Sequence, residues 1–369
     1  MKTNNNHVTV LEIDGKAIKH NLNYFKQKLA PTTKILVVVK AFGYGSEAIE
    51  VAKLVEDDVD YFAVAYANEG IGLREGGISK PILVLHPQVH NFEAIIAYNL
   101  EPSLYSFRVL KSFLALLDEK VTMNYPIHIK FNTGLNRLGF LHTDIPIVLA
   151  NLKNSNNIRV ASIFSHLAAS EDVEEQEFTV NQINTFAYIA QQVYKYLEYE
   201  PMIHVLNTSG IVNYAKAQFD MVRLGIGLYG FANDVSETTQ LKNTHRLTSI
   251  ISQIHSIMPG ETVGYNRVFV AKKETRTATV PIGHADGIPR SLGAGKGHVV
   301  IHNQKAPIIG NVCMDMIMVD VTKIDCKEGD QVIVFDSQKR IHEIAVACET
   351  IPYEVLTAIS QRVKRFVKN

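Results

Sequence analysis

The chain of 369 residues is long enough for two domains, and at 46% hydrophobic and 20% charged residues it has an ordinary soluble globular composition. Lys plus Arg and Asp plus Glu balance at 37 each with no basic stripe, so nothing points to nucleic acid. No apolar run approaches the ~18 residues of a membrane span, and the opening MKTNNNHVTVLEID has no apolar signal core. Cys313, Cys326 and Cys348 form neither a metal-ligand spacing nor an even disulfide framework, and cytoplasmic residence is the expectation.

A strand-like segment at 8–13 leads into an Asp-led helical pattern at 16–28. From there apolar runs and helical patterns alternate. Strands are expected at 35–40, 61–65, 82–86, 101–105, 127–132, 160–166, 202–207 and 221–225. Helical patterns at 47–55, 68–74, 107–117, 144–152 and 174–197 lie between them. This alternation predicts βαβ units and parallel pairing, and eight units in roughly 230 residues suit a closed (β/α)8 barrel. An open doubly wound sheet is the alternative, but no GxGxxG follows the first strand. Near Thr244 the rhythm changes. Short strand-like runs at 249–257, 277–282, 298–301, 307–311, 316–321 and 331–335 follow one another across turns such as Met258-Pro259-Gly260. The expected organisation is therefore a barrel over 1–240, with 8–13 a strand that could pair with the second domain, and a mostly β domain over 241–369. Helical patterns at 341–349 and 354–366 close the chain.

In a barrel the carboxyl ends of the strands share one mouth. KILVVVKAFGYG (34–45) puts Lys40 at such an end, followed by glycines that allow a tight turn. A Lys there is solvated, paired or chemically used, and a desolvated Lys is the side chain that forms Schiff bases. NTSG (207–210) and RLGIG (223–227) follow strands seven and eight, where barrels often bind phosphate. Together with Tyr44, Lys130, Arg137 and His166, these residues suit a phosphorylated aromatic ligand bearing a carboxylate, and the reading points to pyridoxal 5′-phosphate.

VVVKAFGYG resembles the cofactor-attachment signature of the alanine racemase family, which is a fold-type III pyridoxal-phosphate family. The likeness extends through KFNTGLNRLGF (130–140), SIFSHLA (162–168), HVLNTSG (204–210), DMVRLGIGLYG (220–230), VGYNRVF (263–269), GHADGIPR (283–290), GNVCMDMIMVD (310–320) and IPYEV (351–355), in order and over nearly the whole chain. The resemblance implies an isomerase interconverting L-alanine and D-alanine by two-base proton exchange on the cofactor-bound amino acid, supplying D-alanine for peptidoglycan. It implies Lys40 as the Schiff-base lysine and base at one face, and Tyr265 as the base at the other. A phenol needs nearby positive charge to serve as a base at neutral pH. The family places His166 against Tyr265, and Arg223 against both His166 and the pyridine nitrogen. Arginine does not give up its proton readily, so the ring nitrogen stays unprotonated and the electron sink is weaker. Decarboxylases on this fold tend to carry an acidic residue there.

By the same resemblance, Tyr44, Asn207, Thr208, Gly225, Ile226 and Tyr353 hold the cofactor phosphate. Arg137, Met314 and Asp315 meet the substrate, and Lys130, often carbamylated in the family, supports Arg137. Tyr265, Met314 and Asp315 are expected to reach the barrel of a partner subunit, giving a homodimer with composite sites. No metal is implied. Asn132, Leu135 and Asn136 stand where the family commonly has Asp, Met and Gly, and His284 and Ile288 where it usually has Tyr. These departures keep a broad-specificity amino acid racemase as the alternative. A non-catalytic carrier of the cofactor is disfavoured by the β segment that bears Tyr265.

Overall fold

The structure is a computed structural model that describes residues 7–153, 155–197, 199–232 and 235–368. After β1 (Val10–Asp14) come eight strands separated mostly by helices: β2 (Lys34–Val38), β3 (Tyr61–Val64), β4 (Ile82–Val84), β5 (Glu101–Leu104), β6 (Tyr125–Lys130), β7 (Ile158–Phe164), β8 (Met202–His204) and β9 (Met221–Leu224). They hydrogen-bond in parallel in the order β8-β7-β6-β5-β4-β3-β2-β9. The two ends of that row meet through Asp220 N–H to Ile203 O (3.2 Å) and Arg223 N–H to Leu206 O (3.0 Å), which completes an (β/α)8 barrel. β2, β3 and β4 are almost wholly buried because helices cover one side and barrel-filling side chains the other, which is why their sequences are continuous apolar runs.

The covering helices are built from amphipathic periodicity and caps. In Phe107–Glu119 the Ser106 hydroxyl accepts from Val109 N–H, while Val109, Leu110, Phe113 and Leu117 recur on the inward face. Phe113 meets Phe92 of the preceding helix edge to face at 4.9 Å. Burial of each such side chain stabilises by roughly 1.5–3 kcal/mol.

The rest of the chain forms β10 (His245–Ile250), β11 (Gln253–Ile257), β12 (Thr262–Val263), β13 (Phe269–Val270), β14 (Thr275–Val280), β15 (His298–Ile301), β16 (Gln304–Ile309), β17 (Ile317–Asp320), β18 (Gln331–Phe335) and β19 (Lys364–Lys368). The main sheet has the order β11-β14-β17-β16-β15-β18-β10-β1-β19. β1 is thus sewn between β10, antiparallel, and β19, parallel, so the beginning of the chain belongs to the sheet made by its end. β12 and β13 form a separate two-stranded ribbon.

Three expected elements are corrected. The helical pattern at 354–366 ends at Thr357, and Lys364–Lys368 is β19. The pairing edge of β1 and the buried Arg365 side chain override helix propensity there. The single strand expected at 249–257 is two, because Ile251 N–H turns to Asp330 O and Ser252 N–H to Thr279 O. The strand expected at 35–40 ends at Val38, and Lys40 opens a turn instead.

Candidate active site

The turn after β2 is left-handed: Ala41, Phe42, Gly43, Tyr44 and Gly45 have φ of 51°, 57°, 65°, 53° and 82°. Each non-glycine residue there costs roughly 1–2 kcal/mol. Several contacts hold the turn against that strain. One carboxylate oxygen of Glu69 accepts from Ala41 N–H (2.7 Å), while the other accepts from Ala65 N–H (2.7 Å) and Tyr66 N–H (3.2 Å), so it bridges the ends of β2 and β3. Arg365 donates from Nε to Gly45 O (2.8 Å) and lies over the Phe42 ring. The buried Ser46 hydroxyl lies 2.6 Å from His245 Nε2. Glycine is required at 45, where a Cβ would come within 2.3 Å of Leu356 O.

The turn brings Lys40 and Tyr44 together into a cavity of about 510 Å³ at the barrel mouth. Lys130, Arg137, His166, Asn207, Thr208, Arg223, Gly225, Ile226 and Tyr353 line the same cavity. Lys130 is the last residue of β6, and Arg223 lies in β9. Asn207 caps the short helix Thr208–Asn213, accepting from Gly210 N–H. The Thr208 hydroxyl accepts from Gly225 N–H (3.2 Å) and Gly227 N–H (3.3 Å). A Cβ at Gly225 would come within 2.8 Å of the Tyr44 hydroxyl and fill this corner. Tyr353 closes it, its ring 6.2 Å from that of Tyr44.

The electrostatics are lopsided. Lys40, Lys130, Arg137 and Arg223 face one cavity, and none has an ion-pair partner among the described residues. Burial, then the Arg137 charge, holds the Lys40 ammonium below its ordinary value, with Glu69 opposing. Burial, then Arg137, Arg223 and Lys40, brings Lys130 down to about 8. Burial alone brings Arg223 to about 9, still cationic at neutral pH. Burial and then Arg223 push His166 well below the usual imidazole range, so it is neutral. Arg223 Nη2 lies 3.1 Å from His166 Nδ1. A guanidinium only donates, so Nδ1 accepts and the His166 proton sits on Nε2, which has no acceptor among the described residues. Arg223 Nη1 and Nη2 are committed to His204, Ser165, Val205 and His166, whereas its Nε–H has no acceptor among the described residues.

Tyr265, Met314 and Asp315 do not line this cavity. Tyr265 follows β12 at the tip of the two-stranded ribbon and is 72% exposed; Met314 is 59% exposed. Asp315 is exposed and paired with Arg362 at 2.7 Å. Val38, Ala65, Tyr66, Leu85, His86, Leu138 and Phe164 also line the cavity and went unread in the sequence, as did Glu69. Glu69 had a signal, a Glu at the third position of its helix. His86 and Tyr66 had none, because only closure of the barrel brings their strand ends beside Lys40.

Residues 13–233 match the family model "Alanine racemase, N-terminal domain" and residues 244–367 match "Alanine racemase, C-terminal domain". The chain belongs to the alanine racemase family. A relative in Halothermothrix orenii named alanine racemase is 35% identical over 98% of this chain and 97% of its own length. The solved alanine racemase of Clostridium difficile superposes with a TM-score of 0.92 at 32% identity, covering 98% of this chain and 96% of that one. The alanine racemase of Bartonella henselae, solved with covalently bound pyridoxal phosphate, superposes with a TM-score of 0.88 at 29% identity, covering 98% of this chain and 99% of that one.

Proposed function

We propose that the chain is a pyridoxal-phosphate-dependent alanine racemase, an isomerase that interconverts L-alanine and D-alanine by removing the α-proton at one face and returning a proton at the other. The observation that carries this is the cluster of cations around Lys40, without ion-pair partners among the described residues, in a cavity whose far corner is kept small by Gly225. The residues fit the cofactor. Tyr44, Asn207, Thr208, Gly225, Ile226 and Tyr353 offer hydroxyls and backbone for its phosphate. The Arg223 Nε–H, without an acceptor among the described residues, suits an unprotonated ring nitrogen, and Lys40 supplies the amine for covalent attachment. When bound, pyridoxal phosphate supplies the electron sink that makes the α-C–H acidic.

Lys40, its amine less protonated than an ordinary lysine, takes or returns the proton at one face. Tyr265 of the partner subunit serves the other. His166, with its proton on Nε2, offers a donor to that phenol's oxygen and favours its ionised form. Arg137 meets the substrate carboxylate. Lys130, carbamylated, becomes an anion that orients Arg137, while Met314 and Asp315 shape the entrance from the partner. The exposure of Tyr265 and Met314 supports a homodimer with composite sites, since neither meets a catalytic group of its own chain. We read 1–240 as the cofactor-binding barrel and 241–369 as the domain that reaches the neighbour, with the D-alanine product destined for peptidoglycan. Among the described residues no helix is long and apolar enough to cross a membrane, and the three cysteines are free, which agrees with action in the cytoplasm.

The test is Lys40→Ala. It should abolish borohydride-trapped cofactor and reduce racemisation roughly 100- to 10,000-fold or more. A variant that still races alanine at the wild-type rate would refute the assignment.

A further inference from the structure

Four polar side chains cross the barrel interior beneath Arg223, and the site chemistry described above uses none of them. Glu101, at the start of β5, lies on the barrel floor; His128 is in β6, Ser162 in β7 and His204 at the end of β8. His128, Ser162 and His204 are 0% exposed. Their register explains the path. Ser103 pairs with His128, His128 with Ser162, and Ser162 with Met202. Residues two apart share a face, so Glu101 lies below His128 and His204 above Ser162 on the inward side. The contacts climb from strand to strand: Glu101 to His128 Nε2 (2.7 Å), His128 Nδ1 to Ser162 Oγ (2.6 Å), Ser162 Oγ to His204 Nε2 (2.9 Å), and His204 Nδ1 to Arg223 Nη1 (2.6 Å).

One arrangement of the protons in this chain gives every donor an acceptor. Arg223 can only donate, so His204 Nδ1 accepts and neutral His204 carries its proton on Nε2. That proton goes to Ser162 Oγ. The serine hydroxyl has one hydrogen and no other partner among the described residues, so it donates to His128 Nδ1. His128 Nε2–H then donates to the Glu101 carboxylate. Every link points from the guanidinium toward the carboxylate, and each buried polar atom in it is satisfied.

We propose that Glu101, His128, Ser162 and His204 form a one-way hydrogen-bond relay that fixes His204 as an acceptor and holds Arg223 with its Nε–H turned to the cofactor site. Glu101 is thereby a positioning residue for the reaction, acting from the opposite end of the barrel. Without an acceptor below it, His128 can move its proton to Nδ1. Ser162 then turns toward His204 Nε2, the His204 proton shifts to Nδ1, and two donors face each other at Arg223. The burial that holds His204 neutral favours such a tautomer exchange over protonation.

This inference rests on the reading that Arg223 faces the cofactor, and the experiment separates the two. Imidazole nitrogen NMR on the cofactor-free wild-type protein should find the protons of His128 and His204 on Nε2, with Nδ1 of each ring accepting. Glu101→Gln, which keeps an acceptor oxygen, should preserve both tautomers. Glu101→Leu and the smaller Ser162→Ala should each put His204 into a tautomer mixture. In those two variants cofactor affinity should fall roughly tenfold and the absorption band of bound cofactor should move. kcat should fall while KM for alanine stays near wild type. A proton on Nδ1 of His204 in the wild type overturns the relay, as does an unchanged tautomer in both Glu101→Leu and Ser162→Ala. Glu101→Gln behaving like Glu101→Leu would also overturn it, because charge rather than the acceptor would then matter. A His204 tautomer mixture with an unmoved cofactor band would overturn the positioning role of Glu101.

Discussion

At the barrel mouth, Lys40, Tyr44, Lys130, His166 and Arg223 converge on one cavity, held by backbone strain, charge and buried hydrogen bonds within a single chain. On the C-terminal domain, Tyr265, Val268, Val270, Met314 and Met316 stand exposed. Apolar side chains gathered on a surface mark a contact waiting for a partner. On the function proposed above, the difference separates what one chain completes by itself, cofactor attachment and one proton carrier, from what it offers to another, the second proton carrier.

The largest effect follows from that division. Lys40→Ala and Tyr265→Ala homodimers should both be inactive. In a head-to-tail heterodimer, both lesions fall in one site and the other site is intact. Unfolding and refolding an equal mixture should therefore restore about a quarter of wild-type activity, since about half the dimers are mixed and each has one good site. If the mixture stays as inactive as its parents, the composite site is wrong and Tyr265 does not act across subunits.

A second test sharpens the barrel side. Lys130 is brought down to about 8 by burial and three neighbouring cations, so its neutral amine, the form that takes up carbon dioxide, predominates only above that pH. With labelled bicarbonate, a carbamate carbon signal should be weak at pH 6 and grow through pH 8 to 9, and Lys130→Ala should abolish it. A signal of equal size at every pH, or one surviving in Lys130→Ala, would remove this role. Activity in the variant should fall roughly tenfold through a raised KM, because Arg137 loses its orienting anion.

The contrast also shows what could be read in advance. The barrel was legible because Ile35–Val39, Phe62–Val64 and Ile82–Val84 are fully buried runs whose spacing fits βα units. That Asn207, Thr208, Gly225 and Ile226 would share one cavity was legible because Asn207 to Gly210 comes shortly after β8 and Gly225 comes directly after β9. The left-handed turn at Ala41 to Tyr44 was not, since none of its three non-glycine residues favours positive φ. Their conformation comes from Glu69 and Arg365, contacts made 28 and 320 residues away. β19 was missed for a similar reason. Its sequence suits a helix in isolation, and only the unpaired edge of β1 makes it a strand.

His245 gives a third, smaller test, of the joint between the two regions. It begins β10 of the C-terminal sheet and grips Ser46 beside the Lys40 turn. Burial, then Arg365, lowers it to about 3 from the ordinary 6.5. The folded protein resists protonating this ring while the unfolded chain accepts it, so stability is fully present above pH 6.5 and is lost as pH falls toward 3. His245→Gln should unfold more easily at pH 7 but lose less between pH 7 and pH 4.5 in urea titrations, with the difference on the order of 1–3 kcal/mol. Parallel losses in the two proteins would show that other groups govern acid stability.

The smallest expected effect lies in the loop that carries Arg137. Asn132 Oδ1 accepts from Gly134 N–H (3.1 Å) and Asn136 N–H (3.0 Å), and Asn132 Nδ2 donates to Asn136 Oδ1 (2.8 Å). Asn136 has φ of 57°, which Asn tolerates better than most residues. The departures from the family pattern at 132 and 136 are thus one coupled change: an amide at 132 gives the side chain at 136 a donor, and that bond steadies a left-handed residue where glycine would need none. Asn132→Asp removes the donor and sets a carboxylate against Asn136 Oδ1, until the Asn136 amide rotates to donate instead. Asn136→Gly relieves the backbone but frees the loop in the unfolded chain. Each change alone should cost roughly 0.5–1 kcal/mol, and the pair together less than their sum by about 0.5 kcal/mol. Because Arg137 is exposed at the mouth, KM for alanine should track these differences within about twofold while kcat holds. Strictly additive denaturation midpoints across the four proteins would mean that the two asparagines are independent, and that the loop is set by something other than their shared hydrogen bond.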